Sequence, residues 1–260
     1  MGAKILGVFI FCTSLLIGAI ACNSSGVAPN GMTGAEILNM SNSIVINTVQ
    51  FNATVGLDFL GETSEVNIVG IANESNKEMY LNETSQNTNN VLFQMYAING
   101  QLYMTDPRDN ASWVRIELVD KIWEDANKAG SYMASLENFD KARYVGMENI
   151  SGTKCYKIEI NPDKEALLNI LGLSSSRNVS TEEMTSMIKD PHCFAWIAEN
   201  SYYPLQIFFT LIFDTQFLGD MSINSTIGFS GFNYPVVITL PVGAENATEI
   251  SFDEFMASGY

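Results

Sequence analysis

His192 is the only histidine in the 260 residues, and Cys193 follows it directly. An imidazole beside a thiol is the obvious place to look for an activated nucleophile. On a β-strand, however, consecutive side chains point to opposite faces, so the two groups could not meet, and a structural histidine is the simpler reading. The run Gly228-Phe-Ser-Gly231 misses the Gly-x-Ser-x-Gly elbow of serine hydrolases by one position. No HExxH helix, CxxC pair, Walker loop or dinucleotide-binding glycine pattern occurs, so neither a metal nor a cofactor is expected. The loop from Asp106 to Asn110 carries oxygen ligands without the spacing that calcium requires. Asp120, Glu124, Asp125, Glu182 and Glu183 fall on polar helix faces, whereas general acid–base catalysis needs paired carboxyls in unlike environments. The chain does not read as an enzyme; a hydrolase built on His192 ranks last among its functions.

The remaining reactive residues read as marks of export. Met1 to Lys4 supplies a short positive start, and Ile5 to Ala21 carries no charge and ends in small residues. The run closes on Ala19-Ile20-Ala21-Cys22. This resembles a lipoprotein signal, in which the cysteine becomes the lipidated first residue, although Ala19 stands where leucine is usual. An uncleaved N-terminal anchor is the alternative, and either arrangement holds the chain at the outer face of the cell membrane. Residues 1–21 are thus expected to be a signal peptide, 22–32 a flexible tether, and 33–260 one domain. Outside the cytoplasm, Cys155 and Cys193 are expected to form a disulfide, with two separately buried thiols as the alternative. Closing that loop would stabilise the fold by about 4 kcal/mol on the chain-entropy model.

Asn-x-Ser/Thr occurs at Asn23, Asn39, Asn52, Asn73, Asn82, Asn110, Asn149, Asn178, Asn224 and Asn246. Chance placement of the chain's asparagines, serines and threonines would give about four such sequons, so the excess points to a glycoprotein of the cell surface. The alternative is that a chain rich in Asn, Ser and Thr accumulates sequons without using them. The 13 basic and 29 acidic side chains leave a net charge of -16, which would repel phosphate backbones and anionic lipid headgroups; nucleic acid is excluded as a partner. With 47% hydrophobic and only 16% charged residues, the chain has the composition of a folded protein.

These residues need a scaffold, and the spacing of apolar side chains supplies one. Thr33-Gly-Ala-Glu36 has capping-box spacing and predicts a helix of about ten residues with Ile37, Leu38 and Met40 inward. From Val49, apolar residues alternate with polar ones through Phe51, Ala53, Val55, Leu57 and Phe59, the period of a long strand with one apolar face. Further strands are expected at about 64–73, 77–85, 91–98, 101–105, 113–118, 141–149, 154–160, 192–198, 203–214, 219–231 and 235–240, with Asn99-Gly100 as a tight hairpin turn. Residues 119–138 return to helical spacing, with Ile122, Ala126, Ala129, Met133 and Leu136 in one stripe. Two more helices should follow Asn161-Pro-Asp163 and Ser180-Thr-Glu-Glu183.

The fold class is therefore α+β. An antiparallel sheet of about nine to eleven strands with one apolar face must curl and be covered, which predicts a half-barrel with an N-terminal helix and a helical lid. Phe51, Val55, Leu57, Phe59, Met95, Trp196 and Phe208 on strands, with Leu167, Leu171, Met184 and Met187 on the lid, are candidates to line an apolar cavity. An ordinary packed core is the competing reading of the same residues.

The order of helix, long strand and meander, with Asn99-Gly-Gln-Leu-Tyr-Met104, Trp113-Val-Arg115, Cys155-Tyr-Lys-Ile-Glu-Ile160 and Trp196-Ile-Ala-Glu-Asn-Ser-Tyr-Tyr-Pro-Leu205, resembles the LolA-like superfamily over roughly residues 34–240. That superfamily includes lipoprotein carriers and glycolipid-binding lipoproteins. The signal, the sequons and the acidity together resemble archaeal surface lipoproteins. The resemblance implies a half-barrel closed by helices around a cavity for acyl or isoprenoid chains. A lipoprotein shuttle should be soluble, whereas Cys22 or the apolar N-terminus would anchor this chain. The resemblance therefore implies amphiphile binding without shuttling; a structural or protein-interaction module of the envelope, with a filled core and no ligand, is the alternative.

Overall fold

The segment that alternates from residue 49 is the central strand of a large, open, curved sheet. The computed structural model describes residues 26–106, 112–127, 129–130, 133, 136, 139–162, 164–170, 180–214, 219–251 and 254. Chain order runs α1 (Gly34–Asn42), β1 (Thr48–Phe59), β2 (Glu62–Asn73), β3 (Glu78–Ser85), β4 (Val91–Ile98), β5 (Gln101–Thr105), β6 (Trp113–Glu117) and α2 (Asp120–Ala126). It continues β7 (Phe139–Ile150), β8 (Thr153–Pro162), α3 (Lys164–Ile170), α4 (Thr181–Met187), β9 (Ile188–Ala198), β10 (Pro204–Asp214), β11 (Asp220–Ser230) and β12 (Thr248–Glu249). The sheet order is β12-β6-β5-β4-β3-β2-β1-β11-β10-β9-β8-β7, antiparallel throughout except where β12 runs parallel to β6.

Sequence chemistry explains the local geometry. Thr33 Oγ1 accepts from the Glu36 amide at 3.3 Å while the Thr33 amide donates to Glu36 Oε2 at 2.7 Å, the expected capping box at the start of α1. Asn99 (φ 52°) and Gly100 (φ 72°) are both left-handed, as a two-residue hairpin turn requires. Ile37 and Leu38 are fully buried, but Met40 is 45% exposed, because the buried stripe of α1 runs through Gly34, Ile37, Leu38 and Ser41 and Met40 falls beside it.

Register assigns every strand residue to a face. Val49, Phe51, Ala53, Val55, Leu57 and Phe59 face inward on β1, opposite Ala72, Gly70, Ile68, Val66, Ser64 and Glu62 of β2. On the other side Phe51, Ala53, Val55, Leu57 and Phe59 meet Phe229, Ile227, Ser225, Ile223 and Met221 of β11. The inner face continues through Ile207, Phe209, Leu211 and Phe213 of β10 and, across β2, through Met79, Leu81, Met95, Ala97, Leu102 and Met104. Ile37, Leu38, Ile122, Trp123, Leu167, Leu168 and Met184 join the same buried cluster from the helices.

Among the described residues the sheet has twelve strands where about nine to eleven are expected, and three further expectations need correction. Residues 235–240 form no strand, since prolines at 235 and 241 cannot donate to a ladder. The segment is instead a strap across the outer face. The Asn233 amide donates to the Thr48 carbonyl at 2.9 Å, Thr48 Oγ1 donates to the Tyr234 carbonyl at 2.7 Å, and the buried Ile238 lies beside Ile71, Tyr80 and Tyr96. The strap delivers the short β12 to β6. In addition, β9 starts at Ile188 rather than 192, through a bulge in which Asp190 takes φ 46°. Part of the expected tether also packs on the body: Ala28 is buried, and Asn30 Nδ2 donates to the Tyr156 hydroxyl at 2.9 Å. Residues 1–21, expected to be a signal peptide, and Cys22 lie outside the described residues. No helix among the described residues is long and apolar enough to cross a membrane.

At Gly70 the inner face leaves no room for a side chain. A Cβ there would collide with the Phe51 ring and stand 2.8 Å from the Tyr80 carbonyl oxygen. Gly70→Ala is expected to cost about 1–3 kcal/mol through overpacking, read as a fall in Tm by circular dichroism, with Phe51→Leu in the same chain restoring part of it. An unchanged Tm would contradict this packing.

Candidate functional site

The strands place the apolar candidates in three different settings. Phe51, Met95, Leu167 and Met184 are buried in the core. Val55, Leu57 and Met187 are half-buried and pack against it, and Phe59 is half-buried at the end of β1. Trp196 and Phe208 are on the wrong face: Trp196 pairs across the ladder with Lys157, and Phe208 with Phe194 and Thr226, all outside the sheet. Sequence reasoning missed this because both segments are apolar on both faces, so alternation there carries no sign. Leu171 lies outside the described residues.

The Trp196 surroundings show why it is not a cavity wall. Its Nε1 donates to Glu148 Oε2 at 2.7 Å, Lys157 Nζ donates to Glu148 Oε1 at 2.8 Å, and the same ammonium stands 5.1 Å over both the Trp196 and Phe194 rings. Burial pushes the Glu148 carboxyl up, but the hydrogen bonds from Lys157 and Trp196 and the Lys157 charge outweigh it and hold the group below its ordinary value. This is a satisfied ion-pair cluster on the outer face.

What remains open on the inner face lies at one end of the sheet, around the β1–β2 turn. Val66, Val55 and Ser225 form one cross-strand row, Leu57 and Ile223 belong to the next, and Phe59, Met221 and Phe213 to the last. Val55, Val66, Leu57, Phe59 and Met221 are all half-buried, although residues nearer the middle of the same strands, Ala53, Ile227 and Ile207, are closed to solvent. The inner face is therefore filled over most of its length and leaves an accessible apolar strip, or trough, at the end, bordered on β2 by the exposed polar Ser64 and Glu62. The trough residues Val66 and Met221 were not singled out in the sequence; Val66 could have been found by extending the β1–β2 hairpin register outward from its turn.

A separate cleft of about 260 Å³ sits at the other end, between the last turn of α1 and the segment after α2, lined in part by Asn42, Ile46, Glu74, Asn127 and Met133. That is below the roughly 300–1,000 Å³ of small-molecule sites. Its amides are occupied: Asn127 donates to Glu74 and accepts from the Gly130 amide, and Asn42 donates to the Leu136 carbonyl at 3.0 Å. They tie Asn127 to Glu74 and Leu136 to α1.

The expected Cys155–Cys193 disulfide is not present; both are free and buried. Cys155 pairs with Ala198 and Cys193 with Ile160, so the two cysteines stand five ladder positions apart, about 16 Å, and on opposite faces. A disulfide requires Cα atoms within about 7 Å. Cys193 is inward, between Ile160 and Phe209, while its neighbour His192 is outward and half-exposed, 3.2 Å from Asp190. Ser230 is six positions along β11 from Asn224, the residue in His192's row, or about 20 Å away, which leaves no serine–histidine pair there. No cluster of metal-ligating residues occurs among the described residues.

Among the sequons, Asn52 and Asn224 are exposed on the outer face of β1 and β11, and Asn149 and Asn246 are also exposed. Asn82 is half-buried, and Asn73 is buried with Nδ2 directed at Glu78 Oε2, 3.4 Å away. Asn110 and Asn178 lie outside the described residues.

No protein-family profile matches the chain, and no curated protein sequence does. Similar solved structures include LprF from Mycobacterium bovis, 15% identical, with 83% of this chain and 98% of that one covered at a TM-score of 0.48. The lipoprotein LppX of Mycobacterium tuberculosis is 14% identical, with coverages of 79% and 97% and a TM-score of 0.41. A LolA superfamily protein from Nitrosomonas europaea is 12% identical, with coverages of 81% and 96% and a TM-score of 0.26. The superpositions are loose and assign neither ligand nor partner to this chain.

Burial pushes the Cys193 thiol up to about 12. The unfolded chain therefore loses that proton first, and the contribution of Cys193 to stability is full below about pH 9 and declines as pH rises toward 12. Iodoacetamide at about pH 8 is expected to leave Cys193 unmodified until the protein is unfolded, as followed by peptide mass spectrometry. Rapid alkylation of the native protein would contradict its placement.

Proposed function

We propose that the protein is a surface-anchored, non-enzymatic lipoprotein that binds a lipid or other hydrophobic ligand on the inner face of its curved sheet. The observation that carries this reading is the half-buried apolar row of Val55, Leu57, Phe59, Val66 and Met221 at the end of an otherwise closed core. Apolar side chains left accessible on the face that the fold is built to cover have a use if an apolar guest completes the burial. Met187 and Met221 at the edge suit a guest of variable shape, because unbranched thioethers repack readily.

The helical insertion carrying Leu167, Met184 and Met187 supports a role as cover, since it approaches β9 at the same end. Cys22 is the proposed lipidation site. Residues 26–32 dock near Tyr156, toward the opposite end of the strands. An anchor at Cys22 would therefore direct the apolar end toward the medium. The acidic exterior keeps the domain off anionic headgroups and leaves its inner surface as the informative one.

The competing reading, an envelope interaction module with a solid core, is favoured by the near-complete burial of Phe51, Ala53, Ile227 and Phe209. Mass spectrometry of lipid extracted from the purified full chain separates the two. Lipid is expected in the wild type and several-fold less in Leu57→Glu, with little change in Tm because that side chain is already half-exposed. Repeated absence of lipid, insensitive to Leu57→Glu, would favour the module.

Occupied glycosylation sites should follow exposure. Glycopeptide analysis of protein from its own cells is expected to find sugar on Asn52 and Asn224 and none on Asn73, whose amide is buried against Glu78. Sugar on Asn73 would contradict the strand packing there.

A further inference from the structure

Ser225 breaks the apolar pattern of the inner face. It occupies the inward position of β11 between Ile223 and Ile227, opposite Val55 on one side and Phe209 on the other, and is 1% exposed. Its Oγ has no hydrogen-bond partner. β11 is an interior strand whose ladders to β1 and β10 both run through this residue, so the adjoining backbone groups are already engaged. A buried hydroxyl without a partner opposes folding, and an alanine or valine would fill the same position without that cost. The orphan hydroxyl is also not remote from the trough. Val55, its direct cross-strand neighbour, is half-buried, and Leu57 and Met221 lie outward from it along the same two strands.

We propose that Ser225 is the polar contact for the trough's ligand, donating its hydroxyl hydrogen to a carbonyl oxygen of an acyl ester. This rests on the reading of the trough as a hydrophobic-ligand site and adds the chemical class of the ligand. A hydroxyl donor surrounded by Val55, Ile223, Ile227 and Phe209 selects for a guest that carries an acceptor within an apolar body. A hydrocarbon chain has no acceptor and leaves Ser225 as it is; a strongly hydrated ion would lose more on entry than one hydroxyl returns. An ester carbonyl meets both requirements, since it accepts one hydrogen bond and carries no charge. The contact separates acyl esters from plain alkanes of the same length by the worth of one buried hydrogen bond.

The test compares two fluorescent probes on the full chain, a pyrene-labelled fatty-acid methyl ester and the pyrene-labelled alkane of equal length. Wild type is expected to prefer the ester, and Ser225→Ala to weaken ester binding by roughly two- to tenfold while leaving the alkane unchanged. Without ligand, Ser225→Ala should melt no lower than wild type, because it removes an unpaired buried hydroxyl. Thr226→Ala, on the outer face of the same strand, should change neither affinity. If both probes bind wild type and Ser225→Ala alike, the polar contact is wrong and the trough reading stands. If neither probe binds wild type, the trough reading falls and this inference with it. A large loss of Tm in unliganded Ser225→Ala would make the residue structural and overturn the proposal.

Discussion

The register of β1 decides which face of the sheet is apolar. It is an interior strand, paired over its length with β2 and over most of its length with β11. Because side chains alternate with a period of two, a slip of one residue would turn Val49, Phe51, Ala53, Val55, Leu57 and Phe59 to solvent and bring Gln50, Asn52 and Asp58 into the core. Everything else follows from that register. Buried residues of the helices join the core on the face it makes apolar, the exposed sequons Asn52 and Asn224 fall on the other, and the aromatic row of Tyr80, Tyr96 and Trp113 on the outer face is partly covered by the strap. Gly70 belongs to the same constraint, since the Phe51 ring crosses onto β2 only where no Cβ stands in its way.

The constraint weakens toward the β1–β2 turn. Near the middle of the sheet the inner face is filled by side chains from both layers, as a core requires. Beyond Val55 the inner positions of β1 and β11 stay apolar, with Leu57, Phe59 and Met221 half-buried, while those of β2 turn polar at Ser64 and Glu62. A fold selected for stability alone would make the inner positions of β1 and β11 polar there as well. The apolar end, the unpaired hydroxyl of Ser225 in its innermost row, and the flexible methionines at its edge are departures from a consistent core, and such departures gather where a protein meets its ligand.

Much of this was legible in the residues. The capping box at Thr33, the alternation from Val49 to Phe59 and the Asn99-Gly100 turn are local signals with local causes, and each appears in the structure where the spacing put it. The failures are equally physical. The face of Trp196 and Phe208 could not be read from segments apolar on both sides, because the choice is made by pairing with Lys157 and Thr226 on other strands. The disulfide between Cys155 and Cys193 was inferred from compartment, whereas register sets them on opposite faces. The strap at 235–240 resembled a strand because it is extended and apolar, yet its prolines bar it from a ladder. Ser225 carried a readable signal, one polar residue in the inward series Met221, Ile223, Ile227 and Phe229, but its meaning required the knowledge that no partner reaches it.

On the proposed reading, the inner face at the β1–β2 end takes up an apolar guest. A crystal structure of the full chain purified from its own cells addresses this most directly. Continuous density for a chain-like molecule lying against Val55, Leu57 and Met221 is the predicted result. Side chains closed over those three residues, with no density between them, would contradict it.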